Sequence, residues 1–597
     1  SNADVSYTVV ASPYAFNFAG AGYYDFADYD YDGGPSEFYG GGSQEVASGS
    51  GTTDGEGKLV IEIPAELKDS TQSQLFTLEA VVTDESQQVV AGRADVVVHK
   101  GLIYVGARPQ TYVGTAGQEV GFDLIAVDWD SQGIAGQALD LQIVERRWSS
   151  VQEEDETGRT TWTWEVEEIP VATGQVTTGD DGKAVFSFTP PNGGVFKLKV
   201  TSRDARGNQV VASTTLWVAS EEYIGWRQQN SNRIDLIAGQ QDYRIGETAE
   251  ILITSPWQGT AEALITVERG DVLKAERVTL DSNSYVYRLP ITEDFAPNVY
   301  VSVMLVKGVD DNNPVAAFRM GMVQLGVETT RKEITIAITP DREQAGPRET
   351  VTYTVQTTDY AGNPVQAEVG VGLTDLASLS IAEPNSGPLL SFFYGQQGLS
   401  VRTSTPLTIN VDQLTQTVLD TIKGGGGGGG EGGIFDIRQE FVDTPYWNPT
   451  IVTDENGQAT IDVVLPDNLT TWRLDARAVS DASTGTTLVG QTTTDLISTK
   501  PLLLRPVTPR FFVVGDAVML AAIVNNNTGE TMSVQVSLQA SGVTFNSPQE
   551  ITVDIPSGQR HRFEWMVTVE DVQNVDLSFF ASGNDGAYTD ASKPVLG

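Results

Sequence analysis

A glycine-containing turn that leads into alternating apolar residues recurs along this chain of 597 residues. Successive side chains of a strand point to opposite faces, so the alternation favours strands with one buried face. The segments are AGQEVGFDLIAV from Ala116, IGETAEILITS from Ile245, AGPRETVTYTV from Ala345 and VGDAVMLAAIV from Val514. Their glycines lie 129, 100 and 169 residues apart. Because one β-sandwich has about 100 residues, the repeat predicts a tandem array of sandwiches.

An acidic turn followed by a strand and a proline recurs as well. Glycine supplies the positive φ of a tight turn, and proline ends a strand because it cannot donate to the ladder. The segments are TDGEGKLVIEIP at Thr53–Pro64, TGDDGKAVFSFTPP at Thr178–Pro191 and TDENGQATIDVVLPD at Thr453–Asp467. They predict strands at Lys58–Ile63, Val185–Phe188 and Ile461–Leu465, and DWDSQG at Asp128 predicts another hairpin turn. Convincing helices are nearly absent, so we expect an all-β fold of antiparallel sandwiches.

The length of the chain exceeds what one core serves, because domains usually have about 100–200 residues. We predict five domains, with boundaries at 4–100, 101–220, 221–330, 331–498 and 499–597. An insert at Pro384–Asp436 divides the fourth domain into 331–383 and 437–498. The long interval between Gly346 and Gly515 indicates that this insert lies within one repeat and not between two.

The insert (Pro384–Asp436) has almost no strand pattern and contains seven consecutive glycines, Gly424–Gly430. Such a run behaves as a flexible coil and is costly to order. Closing a loop of about 50 residues costs roughly 3–4 kcal/mol beyond a constant term, which a sandwich core can bear. The apolar residues of Asn410–Ile422 have helical spacing, which predicts a short helix that forms only if it docks. The residues alone leave a functional loop and a passive linker open.

Composition excludes several classes of function. The chain has 37 Lys and Arg against 79 Asp and Glu, a net charge of −42, which disfavours binding to nucleic acid or anionic lipid. It has no cysteine and only two histidines, His99 and His561, both expected at a surface or a strand edge. Disulfides and thiolate sites are therefore excluded, and a Ser-His-Asp triad or a histidine zinc site is disfavoured. We predict no catalytic residues, no metal and no cofactor.

The ends of the chain carry little information about targeting. Ser1-Asn2-Ala3 resembles the remnant of a cleaved expression tag, so the chain is expected to be a piece of a longer protein. No apolar run approaches the about 18 residues that a membrane span needs, and we predict no membrane insertion within this chain.

Four segments resemble the α2-macroglobulin family, in particular its bacterial members. Tyr446–Ser480, YWNPTIVTDENGQATIDVVLPDNLTTWRLDARAVS, is similar to the family's signature segment. Gln241–Leu273 and Ile291–Gly308 resemble the bait-region-domain segment, and Val365–Ile381, VQAEVGVGLTDLASLSI, resembles the strand that precedes the bait. The resemblance covers most of residues 221–530 specifically and the first 220 residues only by general pattern.

The resemblance implies that the five domains are macroglobulin domains, in order the third to the seventh. It implies that the insert is a bait region, whose cleavage by an endopeptidase triggers a rearrangement that traps the enzyme. The chain would then be a broad-spectrum protease inhibitor and not an enzyme. Candidate cleavage residues for proteases of different specificity are Leu390, Phe392, Phe393, Tyr394, Arg402 and Lys423.

The family's reactive thioester needs a cysteine that this chain lacks, so a thioester domain is expected, if anywhere, in a neighbouring part of a longer parent. The resemblance also implies a periplasmic, cell-envelope-anchored or extracellular location. The alternative function is a structural or adhesive cell-surface protein of tandem β-sandwiches, in which the insert is a passive linker. An enzyme is the weakest interpretation, because no spacing of carboxylates singles out one pair.

Two further patterns each have two interpretations. Asp28, Asp30, Asp32 and Gly33 spell the opening of a calcium loop, but the position of its bidentate glutamate holds a tyrosine, so an acidic turn is preferred. The aromatic residues Phe441, Tyr446, Trp447 and Trp472 could form a sugar-binding surface, but their place on or near predicted strands favours core packing.

Overall fold

The computed structural model describes residues 2–28, 43–67, 70–83, 88–154, 160–227, 231–311, 313, 316–381, 387–403, 443–480 and 486–594. These residues are almost entirely strands, and the predicted all-β fold is confirmed. They form two compact units. Unit 1 contains the described residues up to Glu328 together with residues 397–403, and unit 2 contains those of Thr329–Gln396 and from 443 onward. No helix in the described part of the chain is long and apolar enough to cross a bilayer.

The first strands form a single four-stranded sheet of order β2-β1-β3-β4. The strands are β1 (Asp4–Pro13), β2 (Gln44–Thr52), β3 (Gln74–Thr83) and β4 (Val89–Val98). The strand predicted at Lys58–Ile63 is wrong, because these residues lie outside every strand. Their odd and even positions do alternate between half-buried and exposed, so the side-chain pattern is present without backbone pairing.

The next strands form two sheets that enclose one apolar core, with Phe122, Leu139 and Leu198 at its centre. The sheet orders are β10-β7-β5 and β6-β12-β11-β8-β9. The strands are β5 (Tyr104–Pro109), β6 (Val113–Thr115), β7 (Val120–Val127), β8 (Ala138–Glu154), β9 (Thr160–Thr177), β10 (Lys183–Phe188), β11 (Gly194–Arg203) and β12 (Gln209–Ala219).

The third and fourth sets of strands repeat this topology, and the fourth is interrupted by the insert. The third set is β13 (Leu236–Ala238), β14 (Asp242–Tyr243), β15 (Thr248–Thr254), β16 (Ala261–Glu268), β17 (Val272–Leu280), β18 (Ser284–Pro290), β19 (Asn298–Lys307) and β20 (Ala317–Val327). The fourth set is β21 (Thr335–Pro340), β22 (Gln344–Ala345), β23 (Thr350–Thr358), β24 (Ala367–Asp375), β25 (Tyr446–Val452), β26 (Gln458–Val464), β27 (Thr471–Ser480) and β28 (Val489–Ser498). Two α-helices, α1 (Leu376–Ile381) and α2 (Leu389–Tyr394), follow β24, and short 3-10 turns lie at Glu293–Phe295 and Thr330–Lys332.

In each of these three sets the first, third and sixth strands form one sheet, and the second, eighth, seventh, fourth and fifth form the other in that order. The second and eighth strands pair in parallel, as β6 with β12, so the sandwiches are not purely antiparallel. The glycine turns of the first repeat precede the third strands, β7, β15 and β23, which are central in their sheets. In these three sandwiches the repeat thus marks the same structural position.

The last strands form a sandwich with sheets β29-β30-β34-β32 and β33-β31-β35-β36. Its strands are β29 (Leu502–Val507), β30 (Ala517–Asn526), β31 (Met532–Ser541), β32 (Val543–Phe545), β33 (Glu550–Ile555), β34 (Arg560–Val569), β35 (Asp576–Gly583) and β36 (Tyr588–Ser592). Trp565 and Phe579 are fully buried in its core. The predicted domain boundaries stay a prediction.

The acidic turns have a common geometry that explains their sequence. At Asp454 the carboxylate accepts the N–H groups of Asn456 and Gln458, both at 2.8 Å. Gly457 has φ = 71°, a conformation that glycine adopts without strain. A turn is present at Asp128, whose carboxylate accepts the N–H of Gln132 at 2.9 Å, but the predicted hairpin is wrong, because the strands on either side, β7 and β8, lie in different sheets.

Candidate functional site

The insert leaves the fold between two hydrogen-bonded neighbours, β24 and β25, with Leu373 opposite Tyr446. Beyond this pair, the N–H of Asp375 donates to the carbonyl oxygen of Asp443 at 2.9 Å. The hydroxyl of Thr470 donates to the carboxylate of Asp375 at 2.7 Å. The chain therefore leaves the sandwich and returns to it at one point, which we call the neck (Asp375 and Asp443).

The described part of the insert begins with helix α2, which is anchored within unit 2. The N–H of Leu389 donates to Oε1 of Gln491 at 3.0 Å. The hydroxyl of Tyr394 donates to the carbonyl oxygen of Thr487, and the ammonium of Lys332 lies 5.9 Å from the centre of the Tyr394 ring. Both ends of the helix are therefore fixed to the sandwich.

Two aromatic side chains of this helix face the solvent. Phe392 is 78% exposed and Phe393 is 54% exposed, and their rings meet edge to face at 5.1 Å. Leu390, by contrast, is half-buried. These side chains are accessible to a protease, but the peptide bonds next to them lie in a helical turn.

Residues 397–403 belong to unit 1, where a backbone clamp holds Gln397. Its N–H donates to Oδ1 of Asn298 at 2.8 Å, and Nδ2 of Asn298 donates to the carbonyl oxygen of Gln397 at 2.9 Å. The hydroxyl of Tyr300 donates to the same carbonyl oxygen at 3.2 Å. Further on, the N–H of Ser400 donates to the carbonyl oxygen of Arg269 at 2.9 Å. We call these contacts of Gln397 with Asn298 and Tyr300 the clamp.

Asn298 is positioned by its own surroundings. It opens β19 and is fully buried. The guanidinium of Arg269 donates to the carbonyl oxygen of Ala296 at 2.6 Å and thereby ties the segment that leads into β19. Asn298 is not among the residues predicted from the sequence. The available signal was a lone amide at the start of the apolar run Val299–Val306, since a buried amide needs partners.

The candidate cleavage residues differ in their settings. Tyr394 is anchored, Phe392 and Phe393 are exposed on a helix, and Arg402 is exposed outside any helix or strand. The structure therefore does not bring these residues together into one constellation. Lys423 and the predicted helix Asn410–Ile422 lie outside the described residues.

Asp28 does not have the setting of a calcium ligand. Its carboxylate lies 2.7 Å from the ammonium of Lys197 and 3.5 Å from that of Lys199. Burial alone would raise the pKa of Asp28, but hydrogen bonds from Lys197 and Ser213 and the charges of both lysines outweigh it and lower the pKa. The remaining residues of the motif, Asp30, Asp32 and Gly33, lie outside the described residues.

The aromatic residues around β25 and β27 do not form one surface. Trp472 is fully buried, and Tyr446 packs against the same core. The core position expected for Trp447 is wrong, because this side chain is 70% exposed. It lies over Gly372 of the neighbouring strand, where a Cβ atom would come within 2.9 Å of the indole ring. Phe441 lies outside the described residues.

The two histidines have different environments. His561 is exposed on β34, as expected. His99 is half-buried, with its ring stacked on Trp129 at 4.2 Å and Nδ1 at 2.8 Å from the hydroxyl of Tyr104. Burial lowers the pKa of His99 and raises the pKa of Tyr104 to about 12. Both side chains are therefore neutral near pH 7, and neither is activated as a nucleophile.

A cavity of about 590 Å³ in unit 1 adjoins Tyr104. Aromatic side chains form most of its wall, including those of Tyr14, Phe16, Tyr24, Phe26 and Tyr104. The carboxylate of Asp25, also in the wall, accepts a hydrogen bond from Thr214 at 2.7 Å. Several of these rings contact one another, as Phe16 and Tyr104 do at 4.0 Å, so the wall is a packed aromatic cluster.

Models of three protein families match separate parts of the chain. They are the α2-macroglobulin family at residues 444–538, the α2-macroglobulin bait region domain at residues 234–381 and bacterial macroglobulin domain 6 at residues 106–219. The bait region domain match ends before the insert, and the α2-macroglobulin match begins after the neck. The third model gives residues 106–219 the ordinal six, whereas the resemblance alone gave the fourth place, and the ordinal positions stay a prediction.

Curated relatives and solved structures match most of the chain. An α2-macroglobulin homolog of a Nostoc species is 25% identical over 92% of this chain and 29% of that protein. The α2-macroglobulin of Ralstonia nicotianae is 28% identical over 84% of this chain and 30% of that protein. The crystal structure of trypsin-activated α2-macroglobulin from Escherichia coli covers 100% of this chain and 39% of that chain, with 15% identity and a TM-score of 0.41. The chain thus spans less than a third of the two relatives' length.

Proposed function

We propose that this chain, which belongs to the bacterial α2-macroglobulin family, inhibits endopeptidases by offering the insert as a bait. Cleavage of the insert then starts a conformational change that traps the attacking enzyme. The observation that carries the proposal is the position of the insert. The insert begins and ends at the neck, where β24 and β25 are paired. Along the chain it lies directly between the segments that match the bait region domain and the α2-macroglobulin family.

The neck explains how the insert can be cut without loss of the domain. β24 and β25 stay paired below Asp375 and Asp443, and the core of the sandwich is built from residues outside the insert. A cut removes only the constraint that the closed loop imposes, which is worth roughly 3–4 kcal/mol for about 50 residues. The sandwich therefore persists after the cut.

Trapping by this chain alone is non-covalent, because a thioester needs a cysteine and the chain has none. A thioester domain in a longer parent protein is part of the proposal. A location outside the cytoplasm, where the protein would encounter foreign proteases, is also part of the proposal. The chain acts in this proposal as a substrate-like inhibitor and not as an enzyme.

Limited proteolysis of the intact chain tests the proposal. Trypsin, chymotrypsin and elastase at low ratios should each make their first cut within 384–436, as identified by intact mass spectrometry. Small-angle scattering and size-exclusion chromatography should then show a changed shape and retention of the protease. First cuts elsewhere, or a nicked chain of unchanged shape that releases the protease, would contradict the proposal and favour a passive linker in an adhesive protein.

A matched variant sharpens this experiment. Arg402 and Lys423 are the only basic residues of the insert, so Arg402→Gln with Lys423→Gln removes every site for trypsin there. Trypsin should then no longer cut the insert first or change the shape, whereas chymotrypsin should act as before. A trypsin response that survives the double substitution would place the trigger elsewhere.

A further inference from the structure

The clamp imposes a geometry that a bound protease cannot share. Asn298 engages both the N–H and the carbonyl of Gln397, at 2.8 and 2.9 Å, as a neighbouring strand would. A protease binds the residues on both sides of the scissile bond in an extended form and needs their backbone groups free. For a cut beside Tyr394, Gln397 lies within this stretch, so the clamp must open first.

The amount of protection follows from the number of bonds that must open. When opening is fast, cleavage tracks the population of the open form. Each hydrogen bond lowers that population about fivefold, so the two bonds of Asn298 lower it about 30-fold. Helix α2 adds to this at Phe392 and Phe393, because its turn must also unwind.

Arg402 lies on the other side of the clamp. It is exposed and outside regular structure, and among the described residues around it a cut after Arg402 requires the release of the Ser400 N–H from the carbonyl oxygen of Arg269. Cleavage there leaves Gln397 in place on Asn298.

Resting on the proposed function, we propose that Asn298 is a specificity-determining residue of the bait. By clamping Gln397 it protects the peptide bonds after Phe392, Phe393 and Tyr394 from cleavage. The bond after Arg402 is then the first accessible cleavage site in the described part of the insert. The N-terminal end of the bait is then set to respond to proteases that cut after basic residues and not to those that cut after aromatic ones.

The experiment compares cleavage in the intact chain with cleavage in a free peptide of residues 387–403. The ratio of the two initial rates, measured by mass spectrometry, is a protection factor for each bond. We expect a protection factor of about 30 or more for chymotrypsin at Phe393 and Tyr394, and less than about fivefold for trypsin at Arg402. Equal factors at the aromatic and basic sites would overturn the proposal.

Two variants test the role of Asn298 itself. Asn298→Asp keeps the acceptor but loses the N–H donor to the Gln397 carbonyl. Gln397→Pro removes the N–H that Asn298 accepts, and it does so at an exposed residue, so the substitution leaves the buried core unchanged. Each should lower the protection of Tyr394 about 5- to 30-fold and leave Arg402 within about twofold. Gln396→Pro is the matched control, because it stiffens the same segment but keeps the Gln397 N–H, and it should change neither factor.

The outcomes separate this proposal from the proposed function. Protection at Tyr394 that is unchanged in both variants overturns the role of Asn298 but leaves the bait intact. Faster cutting at all sites in Asn298→Asp, with no effect of Gln397→Pro, shows a merely structural asparagine and also overturns it. If neither enzyme cuts anywhere in 384–436 while other loops are digested, the bait function itself fails.

Discussion

Replacing Asp28 by asparagine should strongly destabilise the second sandwich. The carboxylate of Asp28 lies 2.7 Å from the ammonium of Lys197, which projects from β11 and is only 2% exposed. Removing one partner of a buried ion pair costs about 3–5 kcal/mol, because the other charge stays buried. Lys197 can escape this cost by folding without its proton, which at pH 7 costs about 4–5 kcal/mol because an unperturbed lysine in an unfolded chain has a pKa near 10.4. Both routes give the same magnitude.

The second route adds a pH dependence that identifies the cause. The cost of deprotonating Lys197 falls by about 1.4 kcal/mol for each unit of pH. The penalty of Asp28→Asn should therefore shrink to about 2 kcal/mol at pH 9. In the wild-type chain, the lowered pKa of Asp28 means that the pair stabilises the fold above pH about 4 and that this contribution is lost as the pH falls further.

Hydrogen exchange of the peptides that cover β11 is the appropriate assay, because a chain of several domains does not unfold in one two-state step. A penalty of 3–5 kcal/mol corresponds to an increase in the exchange rate of about 150- to 5,000-fold. Asp181→Asn is the matched control, since Asp181 and Lys183 are both exposed and such pairs contribute about 0–1 kcal/mol. A penalty below about 1 kcal/mol for Asp28→Asn, or one that does not change between pH 7 and 9, would refute the reasoning.

Three further outcomes follow from buried groups, each measurable by hydrogen exchange in the intact chain. Thr453→Val should destabilise the divided sandwich by about 1–3 kcal/mol, because the buried N–H of Ala367 loses its acceptor at 2.8 Å. Trp472→Ala should cost about 3–5 kcal/mol as a cavity, whereas Trp447→Ala, at an exposed site, should cost less than about 1 kcal/mol. The pKa of His99 is lowered by burial, so the stability that it contributes above pH about 6.5 should be lost as the pH falls, and His99→Gln should remove this dependence.

The sequence predicted the strands that follow its turns, because glycine conformation and carboxylate acceptors act locally. β10 and β26 lie where the acidic turns indicated them. The strand predicted after the remaining acidic turn, at Lys58–Ile63, is absent. Alternation indicates which side chains are half-buried, but it does not indicate whether a neighbouring backbone is available for pairing. The core position predicted for Trp447 is wrong for a similar reason, since a strand at the edge of a sheet can also expose large side chains.

The candidate site was predictable only in outline. Repeat spacing located the insert, and family resemblance gave its role. The clamp was not predictable, since it joins Gln397 to Asn298 across 99 residues. No local rule connects them, and Gln397 takes part only through its backbone, so its side chain leaves no trace in the sequence.

The three sandwiches with shared topology show why the insert sits where it does. The fourth and fifth strands form a long two-stranded ribbon at β8 and β9, are joined by three residues between β16 and β17, and are separated by the insert between β24 and β25. This connection tolerates any length because the two strands remain paired below it. A connection of this kind suits a passive linker as well as a bait, so its tolerance of length does not by itself decide between them. A cut in a passive linker leaves the shape of the chain unchanged, whereas a cut in a bait changes it, and scattering before and after the first cut is therefore the measurement that distinguishes the two.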